Sequence, residues 1–183
     1  IELWRIDNSP FAPKFEVVVK PNDWARAGRE QARAASSSSP TKLLQHRFWT
    51  ALVERLAKEA PQIKPAKPRA CHWLNTSIGR SGCSLTVTAN TRDERLGVEI
   101  SLSGADAKHR FAGLLSAKEA IESDLGFPLE WMELPAKTAS RIITIYNDAS
   151  LEDESRWNEY QNWLIQRLLA MEKVFRPLLR SMP

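Results

Sequence analysis

Two stretches of strict alternation constrain this chain more than any other feature. Cys83–Asn90 sets Leu85, Val87 and Ala89 against Ser84, Thr86 and Thr88. Arg95–Leu102 sets Leu96, Val98, Ile100 and Leu102 against Gly97, Glu99 and Ser101. Period two over such lengths predicts strands with one packed face and one wet face. Only Thr91-Arg92-Asp93-Glu94 separates them, so they pair antiparallel. A third strand, about Cys71–Ile78, precedes them across the turn Gly79-Arg80-Ser81-Gly82, whose glycines suit positive φ.

Helical patterns flank this meander. Leu44, Phe48, Trp49, Leu52 and Leu56 recur at three- and four-residue steps, which predicts an amphipathic helix over residues 41–60 with Thr41 as its cap. Ser103-Gly104-Ala105-Asp106 has capping-box spacing and opens a helix bearing Phe111, Leu114, Leu115, Ile121 and Leu125. Gly126 is its expected stop. Phe127–Leu134 and Arg141–Asn147 form a second strand pair, and a long helix follows from about Leu151 to Leu179, with Pro177 expected to end or kink it. The order α-βββ-α-ββ-α lacks the rhythm of a parallel sheet. It predicts an α+β two-layer sandwich: about five mostly antiparallel strands packed by three helices.

The residues before this unit differ in character. Ile1–Ile6 and Lys14–Lys20 are strand candidates around the turn Asp7-Asn8-Ser9-Pro10, and Trp24–Ala35 has helical character. The serine run at 36–39 with Pro40 makes 36–41 a linker between residues 1–35 and a domain over 42–183. Pro61 to Arg69 alternates prolines with basic residues as an extended connector. Basic charge is concentrated early: residues 1–69 hold 13 Lys/Arg against 7 Asp/Glu, and residues 70–183 hold 13 against 15. A polyanion nearby and a solvated basic linker both fit that balance. No apolar run approaches the roughly 18 residues that span a bilayer, so no membrane partner is expected. Cys71 and Cys83 read as free thiols, and the cytoplasm is the expected compartment.

Complete catalytic motifs are absent. His46, His72 and His109 have no metal-ligand spacing, phosphate loops are missing, and Gly79-Arg80-Ser81-Gly82 lies between strands where a nucleophile elbow needs a strand and a helix. Asp93, Glu94 and Glu99 lack the lysine of a metal-dependent nuclease centre and read as a turn and a solvated strand face. The richest segment is His72–Gly82. Trp73, Asn75 and Ser77 share one strand face, next to Arg80, and Lys108 and Arg110 open the next helix. Such a face can stack a base and hold a phosphate, with Trp73, Asn75, Arg80, Lys108, Arg110 and Arg141 as candidate contacts. The competing arrangement packs Trp73 beneath a helix and leaves Asn75 to satisfy a strand edge. The other tryptophans fit core stripes, and the long C-terminal helix suggests a dimer contact as an alternative role.

Several of these blocks together resemble a known family. Phe48-Trp49, Pro68-Arg69, His72-Trp73-Leu74-Asn75 and Ser77 to Gly82 resemble a bacterial and archaeal domain of unknown function. Gly97-Val98-Glu99, Asp106-Ala107-Lys108, Gly126-Phe127, Glu130-Trp131, Leu134-Pro135 and Phe175-Arg176-Pro177 continue the likeness over roughly 42–180. The resemblance implies a C-terminal position behind a restriction-endonuclease-like domain of the PD-(D/E)XK type. Ile1 to Asp7 and Phe15 to Pro21 are similar to the last strands of such a domain. It implies that residues 1–35 are the remnant of that domain, that its acids, lysine and magnesium ion belong upstream, and that this stretch is a non-catalytic DNA-binding or regulatory module without a cofactor. Restriction and defence against foreign DNA are the implied context.

Overall fold

The computed structural model describes residues 2–4, 12–14 and 39–182. The chain divides into two compact units, residues 1–38 and 39–183. In the first, β1 (Glu2–Trp4) and β2 (Ala12–Lys14) pair antiparallel. The strand expected over Lys14–Lys20 lies outside the described residues apart from Lys14, as does the helix expected over Trp24–Ala35.

The second unit begins with helix α1 (Pro40–Glu59). Ser39 caps it, its side chain accepting from the Lys42 N–H, and Pro40 takes the first helical position. That displaces Thr41, because proline at this position forfeits only an N–H that has no partner anyway. Strands β3 (Trp73–Ser77), β4 (Cys83–Asn90) and β5 (Arg95–Leu102) form the expected meander. Helices α2 (Ala107–Leu115) and α3 (Lys118–Leu125) follow, then β6 (Glu130–Met132), β7 (Ser140–Tyr146) and α4 (Trp157–Ser181). The sheet is antiparallel throughout, in the order β3-β4-β5-β7-β6. The fold is therefore the α+β sandwich expected, with four helices in place of three.

The extra helix arises from a break. Ala117 (φ −105°, ψ 14°) leaves helical geometry, and Ile121 resumes the ladder by donating to its carbonyl. The break lets Phe111 and Leu114 on one side, and Ile121 and Leu125 on the other, all reach the core, while Leu115 stays exposed. Gly126 ends α3 in the left-handed conformation (φ 72°), where a Cβ would be strained. Pro177 does not end α4. Phe175 and Leu179 are fully buried on either side of it and hold the last turns against the core, so the helix continues to Ser181.

Burial follows the two periods. Leu85, Val87, Leu96, Val98 and Ile100 point to the helical layer, where α4 packs across β4 and β5 through Leu164, Leu168, Met171 and Phe175. Trp49 is fully buried, and its indole N–H donates to the Cys71 carbonyl at 2.8 Å. That bond fixes where the basic connector enters β3. The connector is anchored: Ile63 is buried, Pro65 bridges Thr76, and the Ala66 N–H donates to the Asn75 carbonyl. It thus covers part of the outer edge of β3, which would otherwise offer unpaired groups to another chain.

Lys108 is an internal strut. Its ammonium donates to the carbonyls of Glu133, Leu134 (2.8 Å) and Ala139 (3.0 Å) and to Ser140 Oγ (3.1 Å), tying the start of α2 to the β6–β7 loop. Replacing it strands several acceptors at once. We expect Lys108→Met to lower stability in urea unfolding by about 2–3 kcal/mol. A loss within error of zero would show that the strut carries no weight.

Candidate functional site

Among the described residues, no helix covers the second face of the sheet. Its side chains fall into three cross-strand rows. The first holds Trp73, Thr88, Gly97 and Ile145. The second holds Asn75, Thr86, Glu99, Ile143 and Glu130. The third holds Ser77, Ser84, Ser101, Arg141 and Met132. All of these but Ser77 line a groove of about 530 Å³. Trp73 does not pack beneath a helix. It is 43% exposed, and His72 meets its ring edge-on at 4.7 Å.

The groove floor is ordered by hydrogen bonds. Thr86 Oγ1 donates to Asn75 Oδ1 at 3.0 Å and lies 3.2 Å from Ser84 Oγ. Asn75 therefore spends its carbonyl within the sheet and keeps its –NH₂ group for another acceptor. Glu99, on the central strand, corrects the expectation of a solvated face. It is 3% exposed, because strands on both sides raise their side chains around it. Its Oε2 has no hydrogen-bond partner among the described residues. The nearest cation is Arg141, with Nη1 at 3.7 Å and a half-exposed side chain. Burial pushes the Glu99 carboxyl above the usual range, and Arg141 pulls the other way without cancelling it.

The six sequence-derived contacts separate into groups. Trp73, Asn75 and Arg141 share the groove. Arg80 sits in the β3–β4 turn, outside it. Lys108 is the strut described above. Arg110 is buried and donates to the Ser81 carbonyl (3.1 Å) and to Asp106 (3.0 Å), so it braces the same turn from inside. The structure adds two cations at this turn that the sequence did not suggest. Gly79 has φ +85°, and a Cβ there would lie 2.9 Å from Arg180 Nε and 3.2 Å from Arg176 Nη1. Arg176 also donates to the Ser77 carbonyl and is paired with Glu172. Nothing in the sequence says that the end of α4 meets this turn. Four-residue spacing of the two arginines was the available signal.

Cys71 and Cys83 are both free thiols. Among the described residues, no group of His, Cys, Asp or Glu could hold a metal ion, and no helix is long and apolar enough to cross a membrane. On α4, Tyr160, Leu164, Leu168, Met171 and Phe175 are buried in the core, and Trp157, Val174 and Leu178 are half-buried against it.

These features define a class: an α+β two-layer domain with a polar-aromatic groove on the sheet face that no described helix covers. The family described as "Domain of unknown function (DUF4268)" matches residues 44–179, and the chain belongs to that family. No curated protein and no solved structure matches the chain.

A native carboxyl that holds its proton more tightly than the unfolded chain does costs stability at high pH and nothing once both states are protonated. Glu99→Gln removes that cost. In chemical unfolding at neutral and alkaline pH the variant is expected to exceed the wild type. The advantage should shrink as the pH falls past the raised native value and be gone once the ordinary carboxylate range is passed. An advantage that does not change with pH, or a deficit at neutral pH, would contradict this account of Glu99.

Proposed function

We propose that this domain is a non-catalytic nucleic-acid-binding module that takes single-stranded DNA on the open face of its sheet. The observation that carries the reading is Trp73: a large aromatic side chain held out from a sheet face that also carries an amide, hydroxyls and the guanidinium of Arg141. Stacking on an aromatic platform is worth about 1–3 kcal/mol per base and tolerates any sequence. Arg80, Arg176 and Arg180 at the β3–β4 turn would serve the phosphates, and Arg141 those nearer the groove. Lys108 and Arg110 support the fold around the site and do not enter this interface.

The resemblance of residues 1–21 to the tail of a restriction-endonuclease-like domain supports a wider context. The module would sit behind a metal-dependent nuclease that cuts foreign DNA, and would hold the strand exposed near the cut. A strand-binding module needs no active site of its own, which suits a chain without a complete catalytic motif.

Fluorescence anisotropy of labelled oligothymidylate tests the reading. We expect salt-dependent binding to single strands exceeding that to duplex. Trp73→Ala should weaken it roughly 5- to 150-fold. Arg180→Ala should flatten the logarithmic salt slope by about 0.7, the share of a single phosphate. Absence of binding at low salt, or a Trp73→Ala variant that binds as tightly as the wild type, would overturn the proposal.

A further inference from the structure

The least comfortable group in the domain is the Glu99 carboxylate. It lies at the centre of the middle row on the central strand, 3% exposed, and its Oε2 has no hydrogen-bond partner among the described residues. A buried carboxylate without donors is destabilising unless something supplies them. Burial disfavours the ionised form of Glu99, and Arg141, at 3.7 Å, is too far for a hydrogen bond but near enough to oppose that effect in part. An ionised carboxylate offers two acceptors and no donor. At the other end of the same row, Asn75 has its carbonyl committed to Thr86 and presents N–H donors. The row therefore reads donor, hydroxyl, acceptor across β3, β4 and β5.

Few bases complement that order. Guanine carries the O6 acceptor and then two adjacent donors, N1–H and N2–H, along one edge. Adenine and cytosine set a single amino group beside a ring nitrogen whose lone pair would face the carboxylate. Thymine has one N–H between two carbonyls.

We infer that the groove is selective for guanine, with Glu99 accepting from N1–H and N2–H, Asn75 donating to O6, and Trp73 stacking on the ring. The inference rests on the single-strand reading above and adds a specificity to it. Base discrimination enters through the edge contacts, whereas Trp73 and the arginines are indifferent to sequence.

The test measures affinity of the 183-residue chain for oligothymidylate carrying one central guanine, hypoxanthine, adenine or cytosine. Hypoxanthine keeps O6 and N1–H but lacks the N2 amino group. The wild type is expected to favour guanine over each of the others by roughly tenfold. In Glu99→Gln, whose amide replaces one acceptor by a donor, the ratio of guanine to hypoxanthine affinity should fall towards one. Equal affinity for all four oligonucleotides overturns the inference and leaves the single-strand reading standing. So does a guanine preference that survives in Glu99→Gln. Failure of the wild type to bind any of them overturns both. The hypoxanthine comparison changes the ligand alone, so it decides even if the variant does not fold.

Discussion

The apolar face of β4 and β5 lies against the long helix α4, and that single packing layer organises the domain. Each buried Leu, Ile or Val in this layer contributes about 1.5–3 kcal/mol of transfer free energy. Because side chains alternate along a strand, the layer also dictates what the opposite face carries. A slip of β5 by one residue against β4 would drive Glu99 among Leu164, Leu168 and Phe175, and bring Val98 out to water. Register is thus held by the core, and the polar rows are aligned as a consequence. The Asn75–Thr86–Glu99 row exists because the hydrophobic side of the sheet permits one pairing only.

The same geometry explains why an acid on an open face is buried. Exposure on a sheet depends on the neighbouring strands as well as on the face. Trp73 stands on β3, the outer strand of the order, with only β4 paired along its length, and keeps nearly half its surface. Glu99 stands on the central strand, flanked by Thr86 and Ile143, and keeps almost none. Gly97 contributes to this. A Cβ there would come within 2.7 Å of Thr88 Oγ1 and 2.9 Å of Ile143 Cδ1, so the missing side chain lets both neighbours close over the strand. A platform at the margin and a desolvated acceptor at the centre arise from one sheet by position alone.

Much of this was legible in the sequence, for a physical reason. Periods of two and near 3.6 record one-sided burial, and they placed the meander, the second strand pair, and the apolar residues that α1 and α4 bury. Period two also put Trp73 and Asn75 on one face. What stayed hidden depends on non-local geometry. Lys108 and Arg110 look like surface cations in a helix start, and only the folded chain brings the β6–β7 loop and the Ser81 carbonyl to them. Arg176 and Arg180 look like ordinary helix-end charges until α4 is laid along the β3–β4 turn. Glu99 shares its alternation with Ser101, yet their burial differs because one lies at the centre of the sheet and the other near its end. Pro177 signals a stop by local rules, and burial of Phe175 and Leu179 overrules it.

The charge that remains available bears on which form of DNA such a surface can take. Residues 39–183 carry 20 Lys/Arg against 17 Asp/Glu, and several of the cations are committed: Lys108 to carbonyls, Arg110 to Asp106, Arg55 to Glu59 and Arg156 to Glu159. A protein that holds duplex DNA mainly by its phosphates uses about six to ten such contacts. Around this groove stand the guanidiniums of Arg80, Arg95, Arg141, Arg176 and Arg180, and Arg95, Arg141 and Arg176 each have a carboxylate neighbour. On the proposed reading, the affinity would come from what a duplex conceals, namely the faces and pairing edges of bases. A flat sheet presenting an indole at its margin and an unsatisfied acceptor at its centre offers contacts for both, and neither contact forms while a base remains stacked and paired. Under the proposed function, a preference for single strands would follow from how little positive charge the described residues around the groove leave uncommitted.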